Sequence, residues 1–315
     1  MQEFKNRVFG CVIVKAINSN YNADFTHQPR TLPDGVVYAT DKTLKYSVRH
    51  YLKNNFPNEN ILFYKKLNND LNPLTLAEAY EDIFDELLID NKTDILKNLL
   101  SCLDVRFFGA TFAAKKSQKE KVNISIHGPV QINHGVNRFS KNEIYSEQIM
   151  SPFRNPGDEG SEEKEMTTLG QQSKLREGHY VHHFSINPQN LNTVVNLAND
   201  ANGLTISDIS KLKESMRCGV TYYDSASKAG TDNELLLWIQ MNENSKIVLP
   251  VFTEMISVIR NNEFVTFDFI NIKGIIEEIS EHIEKIEVFY NPLNTNVENL
   301  PEKTKKYKIT NLKEI

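Results

Sequence analysis

Apolar positions along the chain fall into short runs with two different periods. Arg7 to Ile17 is an almost unbroken Val- and Ile-rich run, the pattern of a strand buried on both faces. Asn18 to Val36 is polar and carries Pro29, Pro33 and Gly35, so it reads as a loop. Helical spacing then predicts a helix from Asp41 to about Asn54, capped by Thr40, with Asp41 in the first turn matching the helix dipole. Thr75 to Ile89 and Lys92 to Leu103 predict two more helices. From Val122 to Asn133 the period drops to two. Val122, Ile124, Ile126, Val130 and Ile132 fall on one side; Asn123, Ser125, His127, Gln131 and Asn133 fall on the other. That alternation predicts a half-buried strand, and Pro129 places it at an edge or a bulge.

The pattern breaks between Asn142 and Gly178, where Pro, Gly, Ser and Glu dominate (SPFRNPGDEGSEEKE), as in a long insertion between two strands. Beyond it, His179 to Asn187 predicts a strand, Thr205 to Met216 a helix and Glu234 to Met241 a strand. Val251 to Arg260 reads as a helix and Phe264 to Ile270 as a strand. Ile272 to Glu284 is an amphipathic helix with Ile272, Ile275, Ile276, Ile279 and Ile283 on one face. Lys285 to Tyr290 closes the series as a strand, and the polar, Lys-rich stretch from Pro292 is expected to be loosely held. Strands alternating with helices in this order predict an α+β sheet of ferredoxin-like type with insertions.

Composition supports a packed core: of 315 residues, 40% are hydrophobic and 24% charged. No run approaches the roughly 20 apolar residues of a membrane span, and the N-terminus lacks a signal-type apolar run. Three cysteines, Cys11, Cys102 and Cys218, stand far apart without a CxxC pair, which suits a reducing cytoplasmic setting. Net charge is −5, which by itself disfavours a nucleic-acid partner. Its distribution changes that picture. Residues 1–55 carry eight basic and four acidic residues, and residues 105–140 carry six and one; residues 56–104 carry four and ten. If the two basic blocks meet in the fold, an acidic protein acquires a positive surface.

Lys42, Lys45, Arg49 and Lys53 are spaced three, four and four apart and form one stripe of the Asp41 helix. Leu44, Val48, Tyr51 and Leu52 lie opposite and can bury. Such a stripe can follow consecutive phosphates, although a solvated helix face has the same pattern. In DVRFFGATFAAKK (104–116) the small residues Gly109, Ala110 and Ala113 would let another backbone approach, or the segment is ordinary core before a basic turn. ISIHGPVQINHGVNRFS (124–140) offers amides and hydroxyls with Arg138, groups that contact sugar and phosphate without reading sequence. Thr167, Thr168, Gln171, Gln172, Ser173, Lys174 and Arg176 would form a polar, basic hairpin at the end of the insertion, or a plain surface loop. His179 and His183 point one way on a strand and His182 the other, with no acidic residue evidently beside them, so a metal site is not expected. Phosphate-loop, HExxH, GxSxG and paired-carboxylate signatures are absent from the sequence. Asp24, Asp41 and Asp104 are better explained by loops or caps than by acid–base chemistry.

In combination, RVFGCVIVKAINSN, a loop ending HQPR, YATDKTLKYSVRHYL, DVRFFGA, HGPVQINHGVN and HYVHHFSIN resemble, in order and spacing, the CRISPR-associated Cas-seven family. The likeness points to the Type I-B (Csh-type) backbone subunit of the Cascade complex and covers residues 7–187, with YYDSASKAGTDNELLLWIQM fitting a later strand. It implies an RNA-recognition-motif-like palm (1–55, 105–140 and 179–315), helical fingers (56–104) and a thumb (141–178). It further implies a non-enzymatic, cofactor-free protein that polymerises head to tail along a guide crRNA and presents it to target DNA. The other partners implied are a large subunit, a cap subunit at the 5′ end and a repeat-processing endonuclease. On this chain the RNA contacts would fall to Asn18, Asn20 and Arg30 in the first loop, and to Lys42, Lys45 and Arg49 on the helix. Gln131, Asn133, His134 and Arg138 would add contacts, as would Gln171, Gln172, Lys174 and Arg176 in the thumb. Where the family shows an NPNGDP-like loop, this chain has NYNADFTHQPR. The competing expectation is a metal-dependent RNA-cleaving backbone of Type III kind, using Asp24.

Overall fold

In the computed structural model, which describes residues 2–85, 91–115, 121–150, 169–198, 201–261 and 264–315, the first apolar run forms β1 (Asn6–Ser19). Strand β2 (Tyr38–Ala39) leads into helix α1 (Asp41–Asn55). Helices α2 (Leu76–Phe84), α3 (Lys92–Ser101) and α4 (Leu103–Phe108) follow, then strands β3 (Gly109–Lys115) and β4 (Lys121–His127). Short strands β5 (Val130–Ile132) and β6 (Gly135–Asn137) precede β7 (Ile144–Met150) and the 18-residue β8 (Leu169–Ile186). The rest comprises α5 (Asn192–Leu197), α6 (Ile206–Tyr222), β9 (Thr231–Glu243), β10 (Ser257–Asn261), β11 (Phe264–Asp268) and α7 (Ile270–Glu278). Strands β12 (Ile283–Tyr290), β13 (Thr295–Glu298) and β14 (Lys305–Lys308) complete it.

The main sheet has the order β14-β12-β9-β1-β8-β6-β2, with β5 and β7 also paired to β8. Strand β1 is central, antiparallel to β8 from Val8↔Ile186 to Ser19↔Leu175 and to β9 from Asn6↔Glu243 to Ala16↔Thr231. Its unbroken apolar run has a simple cause: each face of the sheet is covered. Val8, Val12, Val14 and Ala16 enter a core with Leu44 and Val48 of α1 and Leu212 and Met216 of α6. Phe9, Cys11 and Ile13 enter a second core with Phe252, Phe267 and Ile272 on the opposite face. Reading only β1, α1, β6, β8, α6 and β9, the sheet order is β9-β1-β8-β6, every pairing antiparallel.

The expected strand Val122–Asn133 is two strands. Among the described residues β4 pairs only with β3, whereas Val130–Ile132 joins β8; Gly128 and Pro129 make the break. The close approach expected at Gly109 is present. Its φ is +73°, and a Cβ there would stand 2.1 Å from the Ile126 carbonyl oxygen, so only glycine fits. Helix α2 starts with a reciprocal capping box between Thr75 and Glu78 and ends by Asp85; the expected continuation to Ile89 lies outside the described residues.

Three expectations in the C-terminal third are corrected. Val251–Arg260 is not a helix but a short 3-10 turn, Thr253–Met255, followed by β10, because Val258 and Ile259 pair with Phe267 and Thr266. The helix expected to reach Glu284 stops at Glu278, since Ile283 onward is needed to pair with β9. The stretch after Pro292 is anchored, not loose. Strand β13 pairs parallel with β11 and β14 with β12, Tyr307 stacks on Phe289 at 5.3 Å, and Ile309 is buried. No helix among the described residues is long and apolar enough to cross a membrane.

Candidate nucleic-acid interface

Helix α1 buries Leu44, Val48 and Leu52, as its pattern requires. Thr40 occupies the cap position, but its hydroxyl meets Asn22 and Thr43 side chains instead of a helix amide. Asp41 is the hub of this end. Its carboxylate takes the Lys45 ammonium at 2.9 Å and stands 3.7 Å from His134 Nδ1, whose ring lies 5.5 Å from Tyr38. Burial works against the Asp41 carboxylate, but Lys45, and then His134, hold its carboxyl below the usual range. Lys42, the next residue on the helix, is exposed, and so are His134 and, on its segment, Gln131 and Asn133.

Two of the four cations in the expected stripe, Lys45 and Arg49, are not free. Lys45 and Arg49 are largely covered, and Phe108 lies under both, 5.6 Å from Lys45 Nζ and 5.0 Å from the Arg49 guanidinium carbon. Arg49 Nε donates at 2.9 Å to Asp104, a fully buried carboxylate that also accepts from the backbone amides of Leu62 and Phe63. The pair fastens α1 to the segment that follows it.

The first-loop residues divide. Asn20 is buried, and its amide donates to the carbonyls of His27 and Ser173, so it ties the loop to β8. Asn18 is exposed, with its side-chain oxygen accepting from the Tyr145 hydroxyl at 3.1 Å. Arg30 lies beneath Phe25, its guanidinium carbon 6.0 Å from the ring centroid, and Phe25 is 97% exposed. One Asp24 oxygen accepts from the Thr26 amide, the Thr26 hydroxyl and the Gln28 amide, building that turn. Those bonds, the Thr26 hydroxyl foremost, hold the Asp24 carboxyl below the ordinary range.

Gln131 donates to the Gly128 carbonyl, and Asn133 is bonded through its backbone to His183 and His182. Arg138 does not join Lys45 and Arg49. It reaches Glu254 at 2.6 Å, beside Phe252 and the core of the opposite sheet face, so the expected convergence of Lys45, Arg49 and Arg138 is not formed, and from the second basic block it is His134 that reaches the start of α1. Strands β7 and β8 form an antiparallel ribbon from Ile144↔Leu175 to Met150↔Leu169. On it Gln171 is exposed, Gln172 donates to the Ala226 carbonyl, Lys174 meets Glu147 at 3.0 Å and Arg176 meets Glu143 at 2.9 Å. Thr167 and Thr168 lie outside the described residues.

His182 faces the first core, its ring 5.9 Å from Tyr21, while His179 and His183 face the second, against Phe267 and Phe252. The strand alternation is as expected, but acidic neighbours are present. His179 lies between Glu234, 2.5 Å from Nδ1, and Glu177, 3.2 Å from Nε2. Glu234 comes from β9, 55 residues away, and sequence spacing gave no sign of it. Among the described residues no group of three His, Cys, Asp or Glu is placed to hold a metal ion.

Sequence reading also missed an aromatic cluster where α1 meets the end of α6. Tyr46 and Tyr64 lie 6.0 Å apart with planes 14° from parallel, and His50 is 4.7 Å from Tyr223 and 5.8 Å from Tyr222. Lys228 sits over Tyr21 at 5.1 Å and Tyr223 at 5.9 Å and donates to the Tyr21 carbonyl. The four-residue step from Tyr46 to His50 was the one available signal; the remaining partners come from distant segments.

The family model described as CRISPR-associated protein Cas7 matches residues 6–274. A solved chain described as "CRISPR RNA-guided surveillance complex, pre-nicking" is similar in fold, with a TM-score of 0.56 at 13% identity, covering 96% of each chain. A second, described as "CRISPR RNA-guided surveillance complex", has a TM-score of 0.52 at 13% identity over 94% of each chain. At such identity the likeness concerns the fold alone. No curated protein sequence matches the chain.

Proposed function

The chain belongs to the CRISPR-associated protein Cas7 family, and from that premise we propose that it is a guide-RNA-binding backbone subunit of a Type I surveillance complex, of Type I-B (Csh) kind. The sheet order β9-β1-β8-β6, with α1 and α6 on one face, supports an RNA-recognition-motif-like palm. The helices between 56 and 104 would be the fingers, and the β7–β8 ribbon the base of the thumb. Copies would associate head to tail without closing, an open assembly whose length the RNA sets. Target DNA would be read by base pairing to the guide, with the protein recognising backbone and shape. The large subunit, the 5′-end cap subunit and the repeat-processing endonuclease are the further partners this reading implies. No catalytic step and no cofactor is assigned to the chain.

The observation that carries the reading is the meeting of two basic segments of an acidic chain at the start of α1, where His134 reaches Asp41 next to the exposed Lys42, with Gln131 and Asn133 exposed on the same segment as His134. These groups suit phosphate and sugar and carry no base code. Lys45 and Arg49 would act with them, Lys45 by exchanging Asp41 for a phosphate and Arg49 by fixing the helix. The test is an RNA titration of the full chain at several salt concentrations. Lys42→Ala is expected to weaken binding to all sequences alike and to reduce the salt slope by about one. Binding that is absent, or indifferent to salt, would overturn the assignment.

A further inference from the structure

The tyrosine cluster between α1 and α6 has no role in the phosphate contacts just described, and its surroundings are unlike those of a core. Its rings converge on each other through polar groups. His50 Nδ1 lies 3.0 Å from the Tyr64 hydroxyl, and burial foremost, with the neighbouring phenols of Tyr223 and Tyr64 after it, pushes the Tyr46 phenol up to about 12. Burial lowers the His50 imidazole from its ordinary range, which favours the uncharged ring. Tyr222 remains 44% exposed at the end of α6, and the other rings are half-buried, which leaves apolar ring surface open to solvent.

Position and charge say what could cover that surface. On α1 Tyr46 and His50 are flanked by Lys42 and Lys53, at steps of four, four and three residues, so cations and rings share one helix face. At 1.5 Å per residue the two lysines are about 16 Å apart along the axis, with the rings between them. Lys228 supplies a third cation over Tyr223. Alternating cations and ring faces is the arrangement that holds single-stranded nucleic acid, phosphates on the cations and bases on the rings. A protein partner would need apolar complementarity without so many cations.

The geometry points to a base-stacking platform: Tyr46, Tyr64, Tyr222 and Tyr223 take an unpaired nucleobase of single-stranded RNA while Lys42 and Lys53 hold the flanking phosphates. This deepens the RNA-binding reading and rests on it. The platform adds an affinity component that salt does not screen, because stacking releases no counterions.

The test combines ultraviolet crosslinking of the full chain to 4-thiouridine RNA, mapped by mass spectrometry, with titrations at several salt concentrations. Crosslinks to one or more of the four tyrosines are expected. Tyr222→Leu, at an exposed position that should not unfold the chain, is expected to lower affinity about fivefold or more with an unchanged salt slope. Tyr222→Trp is expected to retain or tighten binding. If wild type binds RNA in a salt-dependent manner but Tyr222→Leu binds equally well and no tyrosine crosslinks, the platform is refuted and the RNA reading stands. If Tyr222→Leu instead blocks association between copies with RNA affinity unchanged, the surface belongs to a neighbouring subunit and the inference also fails. Loss of all RNA binding by wild type would remove both.

Discussion

Gly135 and His182 occupy complementary space: a Cβ built on Gly135 would stand 2.3 Å from His182 Nε2. The imidazole cannot easily retreat. It is fully buried, its Nδ1 lies 3.0 Å from the Asn133 carbonyl oxygen, and Tyr21 packs against it. Gly135→Ala is therefore expected to cost about 2 kcal/mol through overpacking. His182→Ala should also destabilise, by leaving a cavity. Because the two changes share one space, the double variant should be less destabilised than the sum of the singles by roughly 0.5–3 kcal/mol. Urea unfolding of the three variants measures this, and simple additivity would show that the contact is not felt.

Burial brings the imidazoles of both His182 and His183 down to about 4. An unfolded histidine takes its proton near 6.5, so between pH 6.5 and 4 the unfolded state binds more protons than the folded one. Stability must then fall as pH drops through that window and be fully present above it. From pH 7 to pH 5 the expected loss is on the order of 2 kcal/mol per imidazole at most. Denaturant midpoints at the two pH values test it, and His183→Gln should flatten the dependence. A midpoint that is level from pH 7 to 5 would contradict the burial argument.

Arg49 is expected to behave as a structural residue before it behaves as an RNA contact. Removing it strands Asp104, a carboxylate with no solvent exposure, on two backbone amides. Breaking a buried pair by deleting one member costs about 3–5 kcal/mol, so Arg49→Ala should lower the melting temperature clearly, whereas Lys42→Ala should leave it within about 0.5 kcal/mol of wild type. Calorimetry of the two variants separates the roles. Equal melting temperatures would return Arg49 to the set of free cations.

These contrasts mark how far the sequence could be read. Local periodicity was enough for β1, α1 and the start of α2, because each depends on residues within one turn or one strand. It was enough too for the alternation of His179, His182 and His183. It could not locate Asp104 beneath Arg49, Glu234 beside His179 or Glu254 beside Arg138, since those partners lie 55, 55 and 116 residues away. A charge pattern on one helix marks a stripe but not what the rest of the chain puts against it. The same limit explains β10 and β13. Val258 and Thr295 become strand residues only because β11 offers an edge on each side.

Lys228 is a cation held where charge is costly. Burial lowers its ammonium from 10.5 to about 8, and it rests on the rings of Tyr21 and Tyr223 with its proton directed at the Tyr21 carbonyl. An unfolded lysine keeps its proton to about 10.5, so between pH 8 and 10.5 the unfolded state holds the extra proton. This group's contribution to stability therefore increases as pH rises through that window, the same sign of slope as the two histidines but in a separate range. Allowing for partial solvent access, about 2 kcal/mol is expected to be recovered by pH 10. Lys228→Met removes the ionisation while keeping the apolar stem over the rings, so it should be as stable as wild type or more so at pH 7 and lose the upward slope above pH 8. Urea midpoints for both proteins at pH 7, 8.5 and 10 decide the matter. Parallel curves for the two would mean that Lys228 titrates as an ordinary surface lysine.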